Sequence, residues 1–188
     1  IGQIFCIWQG GLSIYGALLG FLATSIVFLR KYGYNLWLWF DLMIPSILFG
    51  LIILQLANFM MQFSLGTPLG LDIPNDHSLA EYVEYRYRPT GFEAYQYFQP
   101  VALYQAFAYS IVFIISVLCL LINRKYKFLA EGTVFLFSVI LMAIIRFGIG
   151  FMYFSVNKDM LLYPMQWIAL TVMIATVFIY IVKRFQHN

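Results

Sequence analysis

The sequence predicts an all-α integral membrane protein, a polytopic bundle of about five transmembrane helices with a polar extracytoplasmic loop region. Hydrophobic residues make up 63% of the 188 residues and charged residues only 10%, and the mean hydropathy is +0.84. Soluble domains do not have this composition. Apolar runs long enough to cross a bilayer recur along the whole chain. We therefore expect a single membrane domain over residues 1–188.

The apolar runs define the predicted spans, which cover residues 11–29, 36–63, 101–122, 132–154 and 163–182. In the first span, Gly16 and Gly20 are four residues apart and form a small-residue face that lets another helix approach closely. In the second span, Gln55, Asn58 and Gln62 have the i, i+3, i+7 spacing of one helix face. Such a polar face is expected to contact protein or water rather than lipid.

The one long polar segment, residues 64–100, is the predicted extracytoplasmic loop. Its part EYVEYRYRPTGFEAYQYF alternates tyrosine and valine with charged residues around a Pro-Thr-Gly turn signal. This pattern is compatible with a short β-hairpin and equally with an aromatic belt at the membrane interface.

Positive charge predicts the orientation of the bundle. Seven lysines and arginines fall on one side if five helices alternate: Arg30, Lys31, Arg124, Lys125, Lys127, Lys183 and Arg184. Cytoplasmic loops carry such an excess of basic residues. The C-terminus is therefore expected in the cytoplasm and segment 64–100 outside.

Arg146 is the only charged residue in the run 132–154. By helix rise it lies roughly 21 Å from the start of that run, whereas Asp41 lies about 8 Å into its own span from the cytoplasmic side. Because these depths differ, we do not expect the two charges to pair. Arg146 is expected to contact a lipid phosphate, an ordered water or helix-end carbonyls. The alternative is an arginine that snorkels to the interface or pairs with a buried carbonyl.

Several classes of function find no support in the sequence. Cys6 and Cys119 form no CxxC or Cys/His pattern, and His77 and His187 are isolated, so we expect no metal site and no cofactor. The small net charge of +3 follows from the loop asymmetry and does not indicate nucleic-acid binding.

Six stretches, in order, resemble the prolipoprotein diacylglyceryl transferase family. WQGGLSIYGALLG (8–20) resembles W-x-G-G-x-S-x-H-G-G-x-x-G, Asp41 and Pro45 match D-x-x-x-P, and LQLANFMMQFSLG (54–66) resembles G-R-x-G-N-F-x-N-x-E-x-x-G. FQPVALYQ (98–105) resembles R-H-P-x-Q-L-Y-E, IIRFGIGF (144–151) resembles R-F/I-x-x-E-F, and MQWIAL (165–170) resembles G-Q-x-x-S. By this resemblance, about two N-terminal helices of the family's usual seven are expected to precede the part that these residues match.

The resemblance implies a multi-pass protein of a bacterial-type inner membrane that takes part in lipoprotein biogenesis. The family moves a diacylglyceryl group from phosphatidylglycerol to the lipobox cysteine of a secreted preprotein. The family's framework positions are retained at Gly10, Gly11, Ser13, Gly16, Gly20, Asp41, Pro45, Asn58, Phe59, Gly66, Pro100, Leu103, Tyr104, Arg146 and Gln166.

The departures fall on positions that are charged or titratable in the family pattern. Its two histidines are replaced by Tyr15 and Gln99, its signature arginine by Gln55, and its glutamates by Phe63, Gln105 and Gly150. Thioether formation needs a thiolate and hence a base that works near neutral pH. A tyrosine, with a pKa of about 10, is a poor base, and a glutamine can hydrogen-bond a phosphate but cannot neutralise it.

Three functions are compatible with this pattern. The first is a non-catalytic lipid-binding or scaffolding subunit of a membrane protein assembly, the second is an active divergent transferase, and the third is a transporter or channel. The candidate lipid- or phosphate-binding residues are Arg146, Asn58, Gln55, Ser13 and Tyr104, and an active enzyme would rely on Tyr15 and Arg146. The expected partners are a membrane phospholipid, phosphatidylglycerol by resemblance, and membrane proteins that contact the helices or segment 64–100.

Overall fold

The computed structural model describes residues 14–70, 79–153 and 164–187. These residues form five α-helices and a small β-sheet. The helices are α1 (Ile14–Lys31), α2 (Leu36–Met60), α3 (Val101–Tyr126), α4 (Thr133–Ile149) and α5 (Pro164–His187). Three of them, α2, α3 and residues Met165–Phe185 of α5, are long and apolar enough to cross a membrane, and α4 is apolar but shorter. The predicted fold class, an all-α membrane protein, is confirmed.

The centre of the bundle is an apolar cluster contributed by three helices. Ile44 and Leu48 of α2 pack with Val112 of α3 and Val134 of α4, and all four are almost fully buried. The outward faces are apolar as well; Phe107 of α3 and Phe178 of α5, for example, are largely exposed. Helices that are apolar on both faces are expected when the surroundings are lipid rather than water.

Asp41 anchors α2 to the start of α4. It is buried, and its Oδ2 accepts a hydrogen bond of 2.5 Å from the Gly132 backbone N–H while its Oδ1 accepts one of 2.7 Å from Phe135 N–H. These are donors that a helix N-terminus leaves unpaired, and the helix dipole favours a negative charge there. Asp41 therefore contacts the beginning of α4, whereas Arg146 lies in the last turn of the same helix.

The ends of α2 and α4 that lie away from Asp41, together with the beginnings of α3 and α5, form what we call the Arg146 end of the bundle. A three-stranded antiparallel sheet adjoins this end, with strands β1 (Pro68–Gly70), β2 (Glu81–Tyr82) and β3 (Tyr97–Phe98) in the order β1-β3-β2. Strands β2 and β3 pair with Glu81 opposite Phe98. The short hairpin suggested by the tyrosine-rich sequence is thus confirmed.

Helix α4 is shorter than the run 132–154 from which it was predicted. It ends at Ile149, and the following residues turn back across the bundle. Tyr153 forms a β-bridge with Gly66, and the Thr67 N–H donates to the Met152 carbonyl at 3.2 Å. The glycines of the sequence GIG weaken the helix at this point, because glycine has a low helix propensity. The chain after α4 therefore becomes part of the Arg146 end.

Candidate functional site

Two amide side chains pair near the end of α2. Gln55 is buried, and the Asn58 side-chain amide donates a 3.1 Å hydrogen bond to the Gln55 Oε1. The predicted three-residue polar face is wrong in its third member, because the helix ends at Met60 and Gln62 adopts a left-handed backbone with φ of 52°. The Gln62 amide instead leaves the helix face and binds segment 79–98.

The contacts of Gln62 connect α2 to strand β2. Its Nε2 donates to the Tyr82 carbonyl at 2.8 Å, and its Oε1 accepts from the Glu84 backbone N–H at 3.3 Å. One amide thus satisfies a backbone acceptor and a backbone donor of the same extended segment. This side chain holds the edge of the sheet against the end of the bundle.

Arg146 lies where α4 meets α5. It is half-buried in the last turn of α4, and its Nη2 approaches the Sδ of Met165 at 3.8 Å. A cation in the last turn of a helix interacts favourably with the carbonyls and the negative end of the helix dipole. Because α4 continues for only three residues beyond it, the guanidinium group lies near one end of the bundle.

Gln105 stands where the family pattern has a glutamate, and it is fully buried at the start of α3. Its Oε1 accepts a 2.9 Å hydrogen bond from the Tyr153 hydroxyl, and its Nε2 donates to the Tyr109 hydroxyl at 2.7 Å. Both ends of the amide are therefore satisfied by neutral partners. The spacing of Gln105 and Tyr109 by one helical turn was a sequence signal for this network, whereas the contribution of Tyr153 depends on the turn after α4.

Gln166 occupies the space beside Gly150, another position where the family pattern has a glutamate. Gln166 is fully buried, and its Nε2 lies 3.4 Å from the Phe147 carbonyl that accepts its hydrogen bond. A Cβ at Gly150 would lie 2.6 Å from the Gln166 Cγ. A side chain at position 150 therefore requires Gln166 to move.

Tyr104 and Gly66 lie where the sheet meets α3. The Tyr104 hydroxyl donates to the Leu79 carbonyl at 3.5 Å, a long hydrogen bond. A Cβ at Gly66 would lie 2.5 Å from the Val101 side chain and 2.6 Å from the Gln99 carbonyl oxygen. The close approach of the backbone explains why glycine stands at position 66, and Gln99 is joined to the strand by its backbone groups.

A cavity of about 320 Å³ opens at the same end of the bundle. It lies between the end of α2, the tyrosine-rich loop and the chain after α4. Its lining residues are Gln62, Phe63, Ser64, Leu65, Tyr87, Pro89 and Tyr153. Phe63, which stands where the family pattern has its signature glutamate, is about 80% exposed. The cavity thus adjoins both the Gln62 contacts and the Gln105 network.

Glu81 is a buried acid that the sequence analysis did not single out. It is only 6% exposed, and its Oε1 has no hydrogen-bond partner in the part of the chain that the structure describes. Burial raises the pKa of Glu81 from 4.5 to about 7. Glu81 stands in a stretch where polar and apolar residues alternate. Its burial could therefore not be predicted from the sequence.

The candidate residues that the structure describes with their side chains, Gln55, Asn58, Tyr104 and Arg146, fall at the Arg146 end of the bundle, but they are not all joined by direct contacts. Gln55 and Asn58 are hydrogen-bonded, whereas Arg146 contacts α5 and Tyr104 contacts the chain before β2. Ser13 lies outside the described residues, and for Tyr15 the structure describes the backbone of α1 alone. Within the described ranges, no group of three or more histidine, cysteine or acidic residues could hold a metal ion.

These features define a polytopic membrane protein with a polar site at the Arg146 end of the bundle. The family model for prolipoprotein diacylglyceryl transferase matches residues 1–182. The chain belongs to this family.

Relatives named phosphatidylglycerol–prolipoprotein diacylglyceryl transferase include proteins of three bacteria. The protein of Lactobacillus acidophilus is 29% identical over 183 residues, which cover 97% of this chain and 63% of the relative. The protein of Geobacillus kaustophilus is 30% identical, and the match covers 98% of this chain and 65% of the relative. The protein of Bacillus velezensis is 33% identical, and the match covers 79% of this chain and 51% of the relative. The chain thus spans less than two thirds of the length of these relatives.

Proposed function

We propose that this chain is a phospholipid-binding member of the family that does not transfer diacylglycerol and acts as a scaffolding subunit in the membrane. One observation carries the proposal. At two positions where the family pattern has a charged residue, this chain has a glutamine whose amide is hydrogen-bonded by neutral groups: Gln55 is bound by Asn58, and Gln105 is bound by Tyr109 and Tyr153. Such a site can hold a polar headgroup, but it offers little to drive a reaction.

Lipid binding is assigned to the region of Arg146. Arg146 lies in the last turn of α4, and this position near a helix end supports contact of the guanidinium with lipid headgroups. A guanidinium binds a phosphate through two parallel hydrogen bonds, which a lysine ammonium cannot reproduce. The proposed ligand is an anionic phospholipid, and the names of the relatives favour phosphatidylglycerol.

The chemistry of diacylglyceryl transfer makes catalysis by this chain unfavourable. The reaction requires proton removal from a thiol and stabilisation of a departing phosphate. General-base assistance typically contributes about 10²–10⁴-fold, and a donor to a developing anion about 10²–10³-fold. Tyr15 and Gln55 stand at the positions where the family pattern has a histidine and an arginine. Neither replacement supplies the charge or the basicity of the family residue.

The test combines an activity assay with lipid analysis. The purified protein is incubated with phosphatidylglycerol and a lipobox peptide, and release of glycerol phosphate is measured; we expect none above background. Native mass spectrometry of the parent should show retained anionic phospholipid, and Arg146→Leu should retain less. Arg30→Leu, at the other end of the bundle, is the control and should retain as much as the parent.

A second function, an active divergent transferase, is favoured by the family match and by the names of the relatives. The same assay separates the two proposals. Conversion of the lipobox peptide that is abolished by Tyr15→Phe would refute the non-catalytic proposal and establish the transferase. Unchanged lipid retention in Arg146→Leu would refute the assignment of lipid binding to Arg146, but it would leave the non-catalytic proposal unaffected.

We further propose that the C-terminus is cytoplasmic and that segment 64–100 lies outside. The basic residues in alternate loops support this orientation. Impermeant thiol labelling of Ser78→Cys and Gln186→Cys should occur from opposite sides of the membrane. Labelling of both from the same side would refute the orientation.

The scaffolding role requires protein partners, and the exposed tyrosines beside the sheet are a proposed contact surface. Tyr82 and Tyr85 are both more than half exposed, and aromatic residues are enriched at protein interfaces. Co-purification of a membrane protein at fixed stoichiometry, lost when both tyrosines are changed to serine, would support this role. A complex that survives both substitutions would exclude this surface.

A further inference from the structure

Glu81 lies on the buried face of the sheet. In a β-strand, successive side chains point to opposite faces, and directly paired residues on neighbouring strands share a face. Glu81 is paired with Phe98, which is fully buried, and Val83 two residues later is also fully buried. Tyr82, between them, is 54% exposed and lies on the opposite face. The Glu81 carboxyl therefore points inward with the apolar side chains.

The surroundings of Glu81 do not compensate a negative charge. Its Oε1 is buried without a hydrogen-bond partner among the described residues. The tyrosines of the neighbouring elements have other contacts: the Tyr97 ring of β3 contacts Tyr82 on the outer face, and the Tyr104 hydroxyl of α3 donates to the Leu79 carbonyl. Burying an unpaired carboxylate is costly, so the neutral acid is the form that this position accommodates.

The charged groups on the same segment are engaged elsewhere. Arg88 donates to the Val83 and Glu93 carbonyls at 2.9 and 2.8 Å. Arg86 forms an exposed salt bridge with Glu84 at 3.1 Å. Burial accordingly dominates the environment of the Glu81 carboxyl, and its pKa rises to about 7.

Strand β2 is held by few contacts and is an edge strand. The Val83 N–H donates to the Gln96 carbonyl at 3.0 Å, and the Gln62 amide binds the backbone on both sides of Val83. Gln62 also lines the 320 Å³ cavity, together with Tyr87 of the same loop. Movement of β2 away from the helices would break the Gln62 contacts and widen the cavity.

We propose that Glu81 is a proton-controlled latch, which when neutral holds β2 against the bundle and when ionised releases β2 and opens the cavity at the Arg146 end. The latch depends on the sheet and the cavity and not on the proposed function. With segment 64–100 outside the membrane, as proposed above, the latch makes access to the Arg146 end depend on the external pH.

The direction of the pH effect follows from the two states of the acid. In the open state the carboxyl is solvated and has its ordinary pKa of 4.5, whereas in the closed state the pKa is about 7. The closed state thus binds the proton more tightly, and the open-to-closed ratio rises as the pH increases from 4.5 to 7. The full change across this window is about 300-fold, with no further change on either side.

Double electron–electron resonance tests the latch. Spin labels are attached to Met61→Cys, at the end of α2, and Leu79→Cys, just before β2, in a chain in which Cys6 and Cys119 are serine. Both labelled positions are well exposed. The protein is placed in phosphatidylcholine nanodiscs, so that failure of anionic lipid binding does not affect the measurement. We expect a short distance at pH 4.5 and a longer second population that grows up to pH 7.

Two variants identify the responsible group. Glu81→Gln should keep the short distance at every pH, whereas Glu84→Gln, an exposed acid three residues away, should behave as the parent. If Glu81→Gln does not fold, Glu81→Met provides the same neutral control. A parent whose distances do not change with pH would overturn the proposal, and so would a Glu81→Gln protein that opens at the same pH as the parent.

Discussion

Replacing Asp41 should loosen the attachment of α4 to α2 and lower the stability of the bundle. The Asp41 carboxylate accepts two short hydrogen bonds from N–H groups at the start of α4, and it is almost fully buried. In Asp41→Ala these donors lose their acceptor where water cannot replace it. Each buried donor left unsatisfied costs about 1–3 kcal/mol, so the expected loss is about 2–6 kcal/mol.

Lys183 of α5 adds to this loss. Its Nζ lies 4.3 Å from the centroid of the Trp37 ring and is attracted by the Asp41 charge. Without that charge the Nζ keeps the Trp37 ring contact and the attraction of Glu131, and it has no hydrogen-bond partner in the described residues. Asp41→Asn retains one side-chain oxygen and can satisfy one donor. We therefore expect it to fall between the parent and Asp41→Ala.

Thermal unfolding of the detergent-solubilised variants measures the effect. For a chain of this length, each kcal/mol corresponds to about 2–4 °C, so Asp41→Ala should lower the Tm by at least about 4 °C. Glu131→Gln is the control, because Glu131 is exposed beside the same helix start and a glutamine keeps an oxygen that can accept the hydrogen bond from Asn35. An Asp41→Ala protein with the Tm of the parent would refute the capping argument. So would a Glu131→Gln protein that is destabilised as strongly as Asp41→Ala.

Three further outcomes are expected. Gly150→Ala should destabilise the protein by about 1–3 kcal/mol, because its Cβ would overlap the buried Gln166 side chain. Gly148→Ala has open space around it and should be neutral or up to about 1 kcal/mol stabilising. Equal Tm values for the two variants would contradict this reasoning. Gly66→Ala should also destabilise by about 1–3 kcal/mol, since its Cβ would lie 2.5 Å from a valine side chain, and an unchanged Tm would exclude that close approach. Arg146→Lys should retain less anionic phospholipid than the parent in native mass spectrometry, and equal retention would exclude bidentate recognition.

The helices could be predicted from the sequence because apolar runs of this length have few alternatives in a membrane. Their ends could not be placed with the same accuracy. No proline or glycine lies between Asn58 and Gly66, so nothing in the sequence indicated that α2 would end at Met60. Because of that end, Gln62 leaves the polar helix face and binds the sheet. A difference of a few residues in a helix end thus changed the role of one side chain completely.

Burial of single polar residues was the other feature that the sequence did not reveal. Glu81 and Tyr82 are adjacent and equally compatible with an exposed loop, and only the pairing with Phe98 shows which of them faces inward. The network of Gln105 and Tyr153 likewise joins residues 48 positions apart. Such contacts depend on the path of the chain after α4. Local pattern therefore predicts which segments form helices, whereas the polar contacts require the tertiary structure.

The two ends of the bundle differ in how their buried polar side chains are stabilised. At one end the Asp41 side chain accepts hydrogen bonds from two backbone N–H groups at the start of α4. At the other end, Gln166 fills the space beside Gly150, and the Gln105 amide is bound by two tyrosines. Restoring a glutamate at position 150 alone would displace Gln166 rather than rebuild a charged site. A test of whether a charge at position 150 gives transferase activity must therefore change Gln166 together with Gly150.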